Sequence, residues 1–125
     1  MTLDVTPPLC DSPRMYPTYP KPWAPVVFLT GIVDDIIAFD ELDRDLAWTR
    51  IGDRPRDEFY FNDTPAPYTY GTGRGRTTYT PETVWHPRVA SIRRRVELEL
   101  EKLTGCRWAL DACFLNHYRD GKDHL

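Results

Sequence analysis

An amide and a phenol near the end of the sequence could hydrogen-bond a small polar ligand. Asn116 and Tyr118 have the same parity as the apolar residue Phe114, so in an extended chain all three face one side. That face is apolar at first and becomes polar at Asn116. A face that changes in this way is typical of a strand that runs from a hydrophobic core into a pocket. The sequence therefore predicts that Asn116 and Tyr118 line a pocket.

Arginine and aromatic residues alternate in the middle of the sequence, a pattern that is compatible with a nucleic-acid-binding surface. Guanidinium groups bind phosphates, and aromatic rings stack on unpaired bases. The composition by itself leaves open an ordinary sheet surface, where tyrosine and arginine are also common. The residues concerned are Arg50, Arg54, Arg56, Arg74, Arg76, Trp48, Tyr60, Tyr68 and Tyr70.

Histidine and cysteine form no recognisable metal or nucleophile motif in the sequence. His86, His117 and His124 fit none of the spacings HxxxH, HExxH or H-x-D, so no metal ligand is assigned. Cys113 has no basic neighbour in the sequence, so we expect a packed thiol and assign no catalytic residue. The three cysteines lack CxxC spacing, which favours reduced thiols in a cytoplasmic protein.

Helices that could position these residues are predicted from the spacing of apolar side chains. Apolar residues at i, i+3 and i+7 within 34–47 predict a first helix, with acidic residues in its first turn. Pro87 can open a second helix and Gly105 can cap it, so we expect that helix over 87–104. Its Arg93–Arg95 run is followed by glutamates at helical spacing, which indicates a solvated face with internal ion pairs.

Short strands are predicted before, between and after the helices. This order predicts the α+β class, with two helices packed on one side of an antiparallel sheet. Glycine and arginine residues at 71–76 follow one strand and predict a flexible, basic hairpin tip. The predicted strands lie at 26–29, 57–61, 68–70 and 108–118.

The composition indicates one small domain. The chain has 125 residues and a net charge of −3, which excludes a wholly basic nucleic-acid coat. Residues 1–25 are rich in proline and predict an extended arm, which leaves 26–125 for the domain. No signal peptide is recognisable, and the most apolar run is far too short to cross a bilayer. We therefore expect a cytoplasmic monomer with no membrane partner.

The end of the sequence resembles a segment of the AlkB-like Fe(II)/2-oxoglutarate dioxygenases. The run Asn116-x-Tyr118-x-Asp120-Gly121-x-Asp123 looks like the one that stands just before the H-x-D iron motif of that family. The resemblance covers nearly all of the predicted domain and looks closest to the DNA-repair members. Weaker matches occur upstream in the same order: a helix ending in Trp48, Pro55-Arg56, Tyr68-Thr69-Tyr70-Gly71 and Trp85-x-Pro87.

The resemblance implies a fold, a reaction, cofactors and site residues. The fold would be the N-terminal part of a double-stranded β-helix, or jelly roll, with an incomplete sheet. The reaction would be oxidative demethylation of N-alkylated bases in DNA or RNA, with Fe(II) and 2-oxoglutarate as cofactors. By position, the 2-oxoglutarate contacts would be Asn116 and Tyr118. The nucleic-acid contacts would be Arg56, Tyr68, Tyr70 and Trp48.

The iron ligands of the family cannot be assigned in this sequence. In the family they lie beyond the matching segment, together with the arginines that bind 2-oxoglutarate. The resemblance thus leads us to expect a truncated chain or a partial sequence that is inactive alone, because oxygen activation needs the metal ligands. Two alternatives stay open: a non-catalytic nucleic-acid-binding fragment, and a dioxygenase that acts on a protein or a small molecule.

Overall fold

Leu9 and residues 28–124 are described by the computed structural model of this protein. Two antiparallel sheets of two strands each form within this range, and neither sheet is closed. The elements confirm the predicted α+β class. The helices are α1 (Phe39–Asp45) and α2 (Pro87–Thr104), and the strands are β1 (Asp57–Asn62), β2 (Tyr68–Tyr70), β3 (Thr77–Tyr79) and β4 (Ala112–His117).

Internal contacts divide the chain into two compact units. The first contains Arg88–Leu110 together with the described residues up to Ile37. The second contains Ala38–Pro87 and the described residues from Asp111 onward. Every residue that the sequence predicts for a site belongs to the second unit.

The second predicted helix is confirmed as α2, and an internal ion pair joins Arg94 to Glu97 at 3.6 Å, but other charges of the helix find partners outside it. Arg95 donates from both terminal nitrogens to the Asp35 carboxylate, at 2.8 and 3.1 Å. Glu97 accepts a hydrogen bond from the backbone N–H of Leu110 at 3.0 Å. These contacts tie α2 to segments that are distant in the sequence. Neither helix in the described part of the chain has the length and apolar character that crossing a bilayer requires.

Buried groups of the first unit include a valine and a cysteine. Val89 and Cys106 are each 2% exposed. Cys106 is disulfide-bonded, so the expectation that all thiols are reduced is wrong for this residue. The predicted arm at 1–25 lies outside the described residues except for Leu9, which forms an isolated bridge with Arg107.

The first predicted helix is wrong in extent, because only Phe39–Asp45 is helical. The acidic residues that were predicted for its first turn lie in a separate turn. That turn is closed by hydrogen bonds from the backbone N–H groups of Ile36 and Ile37 to the Val33 carbonyl. Asp35 of that turn is held by Arg95 through a charge-assisted contact, which is stronger than a neutral hydrogen bond. The remaining helix is short, and its N-cap makes no side-chain hydrogen bond.

Two predicted strands also differ from the observed ones. Residues 28–30 have no regular structure, and Phe28 is 85% exposed, while 26–27 lie outside the described residues. The last strand covers only Ala112–His117, because its pairing with β1 ends at Asn62. Beyond the paired residues the backbone N–H and C=O groups have no strand to bond with. An alternating pattern of side chains is therefore not enough to continue the strand.

The register of β1 and β4 places alternate residues on opposite faces of their sheet. Glu58 lies opposite Asn116, and Tyr60 lies opposite Phe114. These four residues therefore share one face, which we call the pocket face. The shared orientation of Phe114 and Asn116, predicted from parity, is confirmed.

The other face of this sheet carries the aromatic core of the second unit. Phe61 is 1% exposed, and its ring lies 4.8 Å from that of Phe59 and 5.5 Å from that of Trp85. The Trp48 ring reaches the same face, 6.3 Å from Phe59. We call this the core face.

A hairpin formed by β2 and β3 confirms the predicted tip at 71–76. Tyr68 lies opposite Tyr79 in its register, and a short 3₁₀ turn at Gly73–Gly75 closes it. Gly71 has φ +86°, and a Cβ there would lie 2.7 Å from the Gly75 carbonyl oxygen. This position thus needs glycine both for its backbone angle and for the close approach of two chain segments.

Candidate functional site

A cavity of about 220 Å³ lies on the pocket face of the second unit. Side chains from all of its strands surround the cavity, together with one arginine that precedes β1. Four residues that the sequence predicts for the site line it. The lining residues are Arg56, Glu58, Tyr68, Tyr70, Tyr79, Phe114 and Asn116.

Aromatic rings form the apolar part of the site. Phe114 stacks on Tyr60 at a centroid distance of 4.1 Å and an interplanar angle of 13°. The rings of Tyr68 and Tyr79 meet Phe114 edge-on at 5.7 and 4.9 Å. Such arrangements are favourable for aromatic pairs. They pack the hairpin against the pocket face, so the cavity exists only where the two sheets meet.

Tyr68 and Tyr70 keep part of their rings accessible beside the cavity. Tyr68 is 44% exposed and Tyr70 is 63% exposed. They occupy alternate positions of β2, so both point to the same side of the hairpin. Accessible aromatic rings beside an arginine can receive a planar ligand such as an unstacked base.

Glu58 is a buried carboxylate at the centre of the polar part of the site. It is 5% exposed and accepts hydrogen bonds from Arg56 Nε at 2.9 Å and from the Tyr79 hydroxyl at 3.1 Å. Arg54 Nη1 lies 3.3 Å from each of its oxygens. Sequence reasoning missed this residue, although Arg54, Arg56 and Glu58 recur at every second position and so share one side of an extended chain.

Arg54 and Tyr79 complete the same network. Arg54 donates to the Tyr79 hydroxyl through Nη1 and to Thr77 Oγ1 through Nη2 at 2.9 Å. Burial raises the pKa of the Tyr79 phenol, although the bond from Arg54 opposes this change. The hydroxyl therefore stays protonated near neutral pH and can donate to Glu58.

A second and larger cavity of about 510 Å³ lies at the edge of β1 that does not pair with β4. Glu58 and Tyr79 line both cavities, so their hydrogen bond forms part of the wall of each. The larger cavity contains none of the residues that the family resemblance assigns to a site. Its other lining residues are Thr49, Ile51, Phe59, Tyr60, Thr77, Thr78, Thr80, Pro81 and Glu82.

Trp48 and Tyr118 are not brought together with the other predicted residues. Trp48 lies at the core face, where its ring is 4.9 Å from His117 and its Nε1 donates to the Leu42 carbonyl at 3.2 Å. Tyr118 follows the end of β4, is 40% exposed and does not line the cavity. His117 lies at the core face as well, where its side chain is 13% exposed and packs against Trp48.

A polar turn after β4 contacts the segment that carries Arg56. Asp123 accepts hydrogen bonds from the backbone N–H and the guanidinium of Arg119, at 2.8 to 2.9 Å. The next residue, His124, donates its backbone N–H to the Pro55 carbonyl at 3.0 Å. Its own carbonyl accepts from Arg56 Nη1 at 3.4 Å. The turn is therefore connected directly to an arginine that lines the cavity.

Replacing Asp123 with asparagine should make the protein less stable and less sensitive to acid. The bonds from Arg119 hold the pKa of the Asp123 carboxyl below its usual value. Its contribution to stability is thus complete above the unfolded pKa of about 3.9 and is lost as the pH falls toward the folded value. We expect Asp123→Asn to lower the urea midpoint at pH 7 and to leave a smaller fall between about pH 5 and pH 2.

The matched control for this prediction is Asp53→Asn, which changes an exposed carboxylate in the turn before β1. It should leave the urea midpoint and its pH dependence close to those of the unchanged protein. Equal pH dependence of the Asp123→Asn variant and the unchanged protein would contradict the role assigned to the turn.

The donor set of the site suits a carboxylate better than a metal ion. Arg56 and Asn116 carry N–H donors at the cavity. Within residues 28–124, no group of three or more histidine, cysteine, aspartate or glutamate side chains is arranged to hold a metal. The described residues therefore do not fit Fe(II).

Comparison of the sequence with protein-family models and with curated proteins finds no match.

Proposed function

We propose that the chain forms the recognition part of an AlkB-like, Fe(II)/2-oxoglutarate-dependent dioxygenase that demethylates N-alkylated bases in DNA or RNA. One observation carries this proposal: Arg56, Tyr68, Tyr70 and Asn116 converge on one cavity although they are spread over 61 positions. The same proposal assigns the two open sheets to the N-terminal part of a double-stranded β-helix. It assigns no iron ligand within the described residues, and no step through iron is derived.

In this proposal the polar residues of the cavity bind carboxylate and phosphate groups. The Asn116 amide and the Arg56 guanidinium would donate to 2-oxoglutarate or to a neighbouring phosphate. When bound, 2-oxoglutarate would supply two of the four electrons that reduce O₂, and the other two would come from the methyl group that is hydroxylated. The rings of Tyr68 and Tyr70 would receive the alkylated base, because aromatic stacking tolerates a base without requiring a particular sequence.

A second candidate is a non-catalytic nucleic-acid-binding protein that uses the same cavity. It is supported by the exposed rings of Tyr68 and Tyr70 beside Arg56 at the cavity. Exposed tyrosine rings and an arginine suffice for binding without iron. Both candidates require nucleic acid to bind at the site, and they differ in whether 2-oxoglutarate binds there too.

The test of the proposed function measures both ligands on the full chain. Fluorescence anisotropy would follow a single-stranded oligonucleotide that contains one N1-methyladenine, and ligand-detected NMR would follow 2-oxoglutarate. We expect Arg56→Gln to weaken oligonucleotide binding about tenfold, the effect of losing one charge-assisted hydrogen bond. We expect Asn116→Ala to weaken 2-oxoglutarate binding by a similar factor.

Arg94→Gln is the matched control, since it removes an exposed arginine from α2 in the first unit. It should change oligonucleotide binding by less than about twofold at physiological salt. Oligonucleotide binding without any 2-oxoglutarate binding would favour the non-catalytic candidate. If Arg56→Gln and Asn116→Ala bound both ligands as tightly as the unchanged protein does, both candidates would be contradicted.

A further inference from the structure

We infer that Glu58 is a positioning residue of the candidate site, which fixes the Arg56 guanidinium at the cavity wall. The inference rests on the proposed function of this cavity and adds to it a residue that carries no assignment from the sequence. Glu58 lies opposite Asn116 in the register and is 5% exposed. A carboxylate buried to this degree needs compensation from hydrogen bonds and opposite charge.

Both oxygens of Glu58 already have donors, so the carboxylate acts on a ligand through its neighbours. Oε1 accepts from Arg56 Nε at 2.9 Å, and Oε2 accepts from the Tyr79 hydroxyl at 3.1 Å. Arg54 Nη1 lies 3.3 Å from each oxygen. A ligand that bonded to Glu58 would have to displace one of these donors. The residue therefore holds the donors in place and does not itself contact the ligand.

Arg56 is the donor that this arrangement holds at the wall of the cavity. Glu58 holds its Nε, and the His124 carbonyl lies 3.4 Å from its Nη1. Its side chain is 17% exposed, so the head group has little freedom to rotate. The remaining N–H groups of the guanidinium stay available for an anion in the cavity. An arginine held in this way loses less rotamer entropy on binding than a free one.

Arg54 has a different part in the network, because it connects Glu58 to β3. It donates to Tyr79 and Thr77 of that strand and to Glu58 of β1. Two guanidinium groups facing one carboxylate leave a net positive charge beside the cavity, as an anionic ligand requires. The alternative to the positioning role that we assign to Glu58 is an effect of its charge alone.

Two substitutions separate charge from geometry. Glu58→Asp keeps the charge but shortens the side chain by one methylene, which withdraws the carboxylate from Arg56. Glu58→Gln keeps the length but removes the charge and replaces one acceptor oxygen by an NH₂ group, which can only donate. Thr77→Val is the control, because it removes one hydrogen bond of Arg54 without touching Arg56. Circular dichroism would establish that each variant is folded.

The first measurement needs no ligand. The Nε–H of Arg56 should give a resolved NMR signal that is protected from solvent exchange in the unchanged protein and in Thr77→Val. We expect Glu58→Asp to lose that protection and Glu58→Gln, which keeps one acceptor oxygen at full length, to retain it. Retention of the protected signal in Glu58→Asp would overturn the inference, whatever the protein binds.

The second measurement is a double-mutant cycle with the methylated oligonucleotide as the probe. Glu58→Asp should weaken binding about tenfold, and it should have almost no further effect when Arg56→Gln is already present. Unchanged binding of Glu58→Asp, or tighter binding of Glu58→Gln at low salt, would mean that Glu58 acts by charge alone and would overturn the inference. If the unchanged protein binds no oligonucleotide, the proposed function fails, while the NMR result still decides whether Glu58 positions Arg56.

Discussion

Phe61→Ala is expected to lower the free energy of unfolding by about 3–5 kcal/mol, the usual cost of emptying a fully buried phenylalanine site. Phe61 is 1% exposed and packs against the rings of Phe59 and Trp85 on the core face. The strand cannot move inward to fill the space, because β4 pairs with it on one edge and Glu82 bridges to it on the other. Urea unfolding followed by circular dichroism and tryptophan fluorescence would measure the change.

The matched control for Phe61 is Phe28→Ala, which removes the same atoms from a residue that is 85% exposed. It should change the free energy of unfolding by less than about 0.5 kcal/mol. Similar effects of the two substitutions would show that the core face does not hold the second unit together.

Gly71→Ala is expected to destabilise the hairpin by about 3 kcal/mol and to weaken oligonucleotide binding. The new Cβ would meet the Gly75 carbonyl oxygen at 2.7 Å, and the backbone angle of φ +86° is unfavourable for alanine. The clash is with a backbone atom, so relief requires the two hairpin arms to separate. Strand β2, which ends directly before Gly71, would shift, and with it Tyr68 and Tyr70 at the cavity.

Gly73→Ala distinguishes the close approach from the backbone angle alone. Gly73 has φ +58°, but no atom lies within 4 Å of the position its Cβ would take. Its substitution should cost only about 1 kcal/mol, the penalty of the left-handed conformation. Urea unfolding and the cross-strand NMR contacts of Tyr68 with Tyr79 would measure both variants. Equal losses at the two glycines would refute the steric explanation.

The polar network and the aromatic cluster of the site depend on one another. Glu58 can be buried because Arg54 and Tyr79 reach it from outside β1. Tyr79 is held at that distance because its ring packs against Phe114 of β4. Displacing the hairpin would therefore leave a buried carboxylate with fewer donors, which is costly. For this reason Gly71→Ala should affect the cavity as well as the local strand pairing.

Much of the candidate site could be predicted from the sequence, because strand parity alone assigns side chains to faces. The shared face of Phe114 and Asn116 follows from their spacing and is confirmed by the register. The hairpin that carries Tyr68 and Tyr70 follows from the glycines after it. Glu58 was missed because a lone acid in a strand is an ordinary surface residue until its partners are known.

The position of Trp48 could not be predicted from the sequence. The sequence shows that Trp48 lies just after α1. The face of the sheet against which its ring packs depends on the path of the chain between α1 and β1. Its Nε1 bond to Leu42 and its contact with Phe59 place it at the core face, away from Arg56 and the cavity. Tyr118 lies beyond the last paired residue of β4, so parity no longer defines its direction.

By itself the sequence determined α2, the β2–β3 hairpin and the alternation of β1 and β4, because each depends on backbone geometry over a few neighbouring residues. Tertiary structure decided which polar and charged groups pair over long sequence distances. Arg95 bonds to Asp35, 60 positions away, instead of a glutamate of its own helix, and Arg54 reaches Tyr79 across 25 positions. Such pairs depend on how distant segments pack, and no local repeat encodes that distance. The cavity that gathers Arg56, Tyr68, Tyr70 and Asn116 is a product of the same packing.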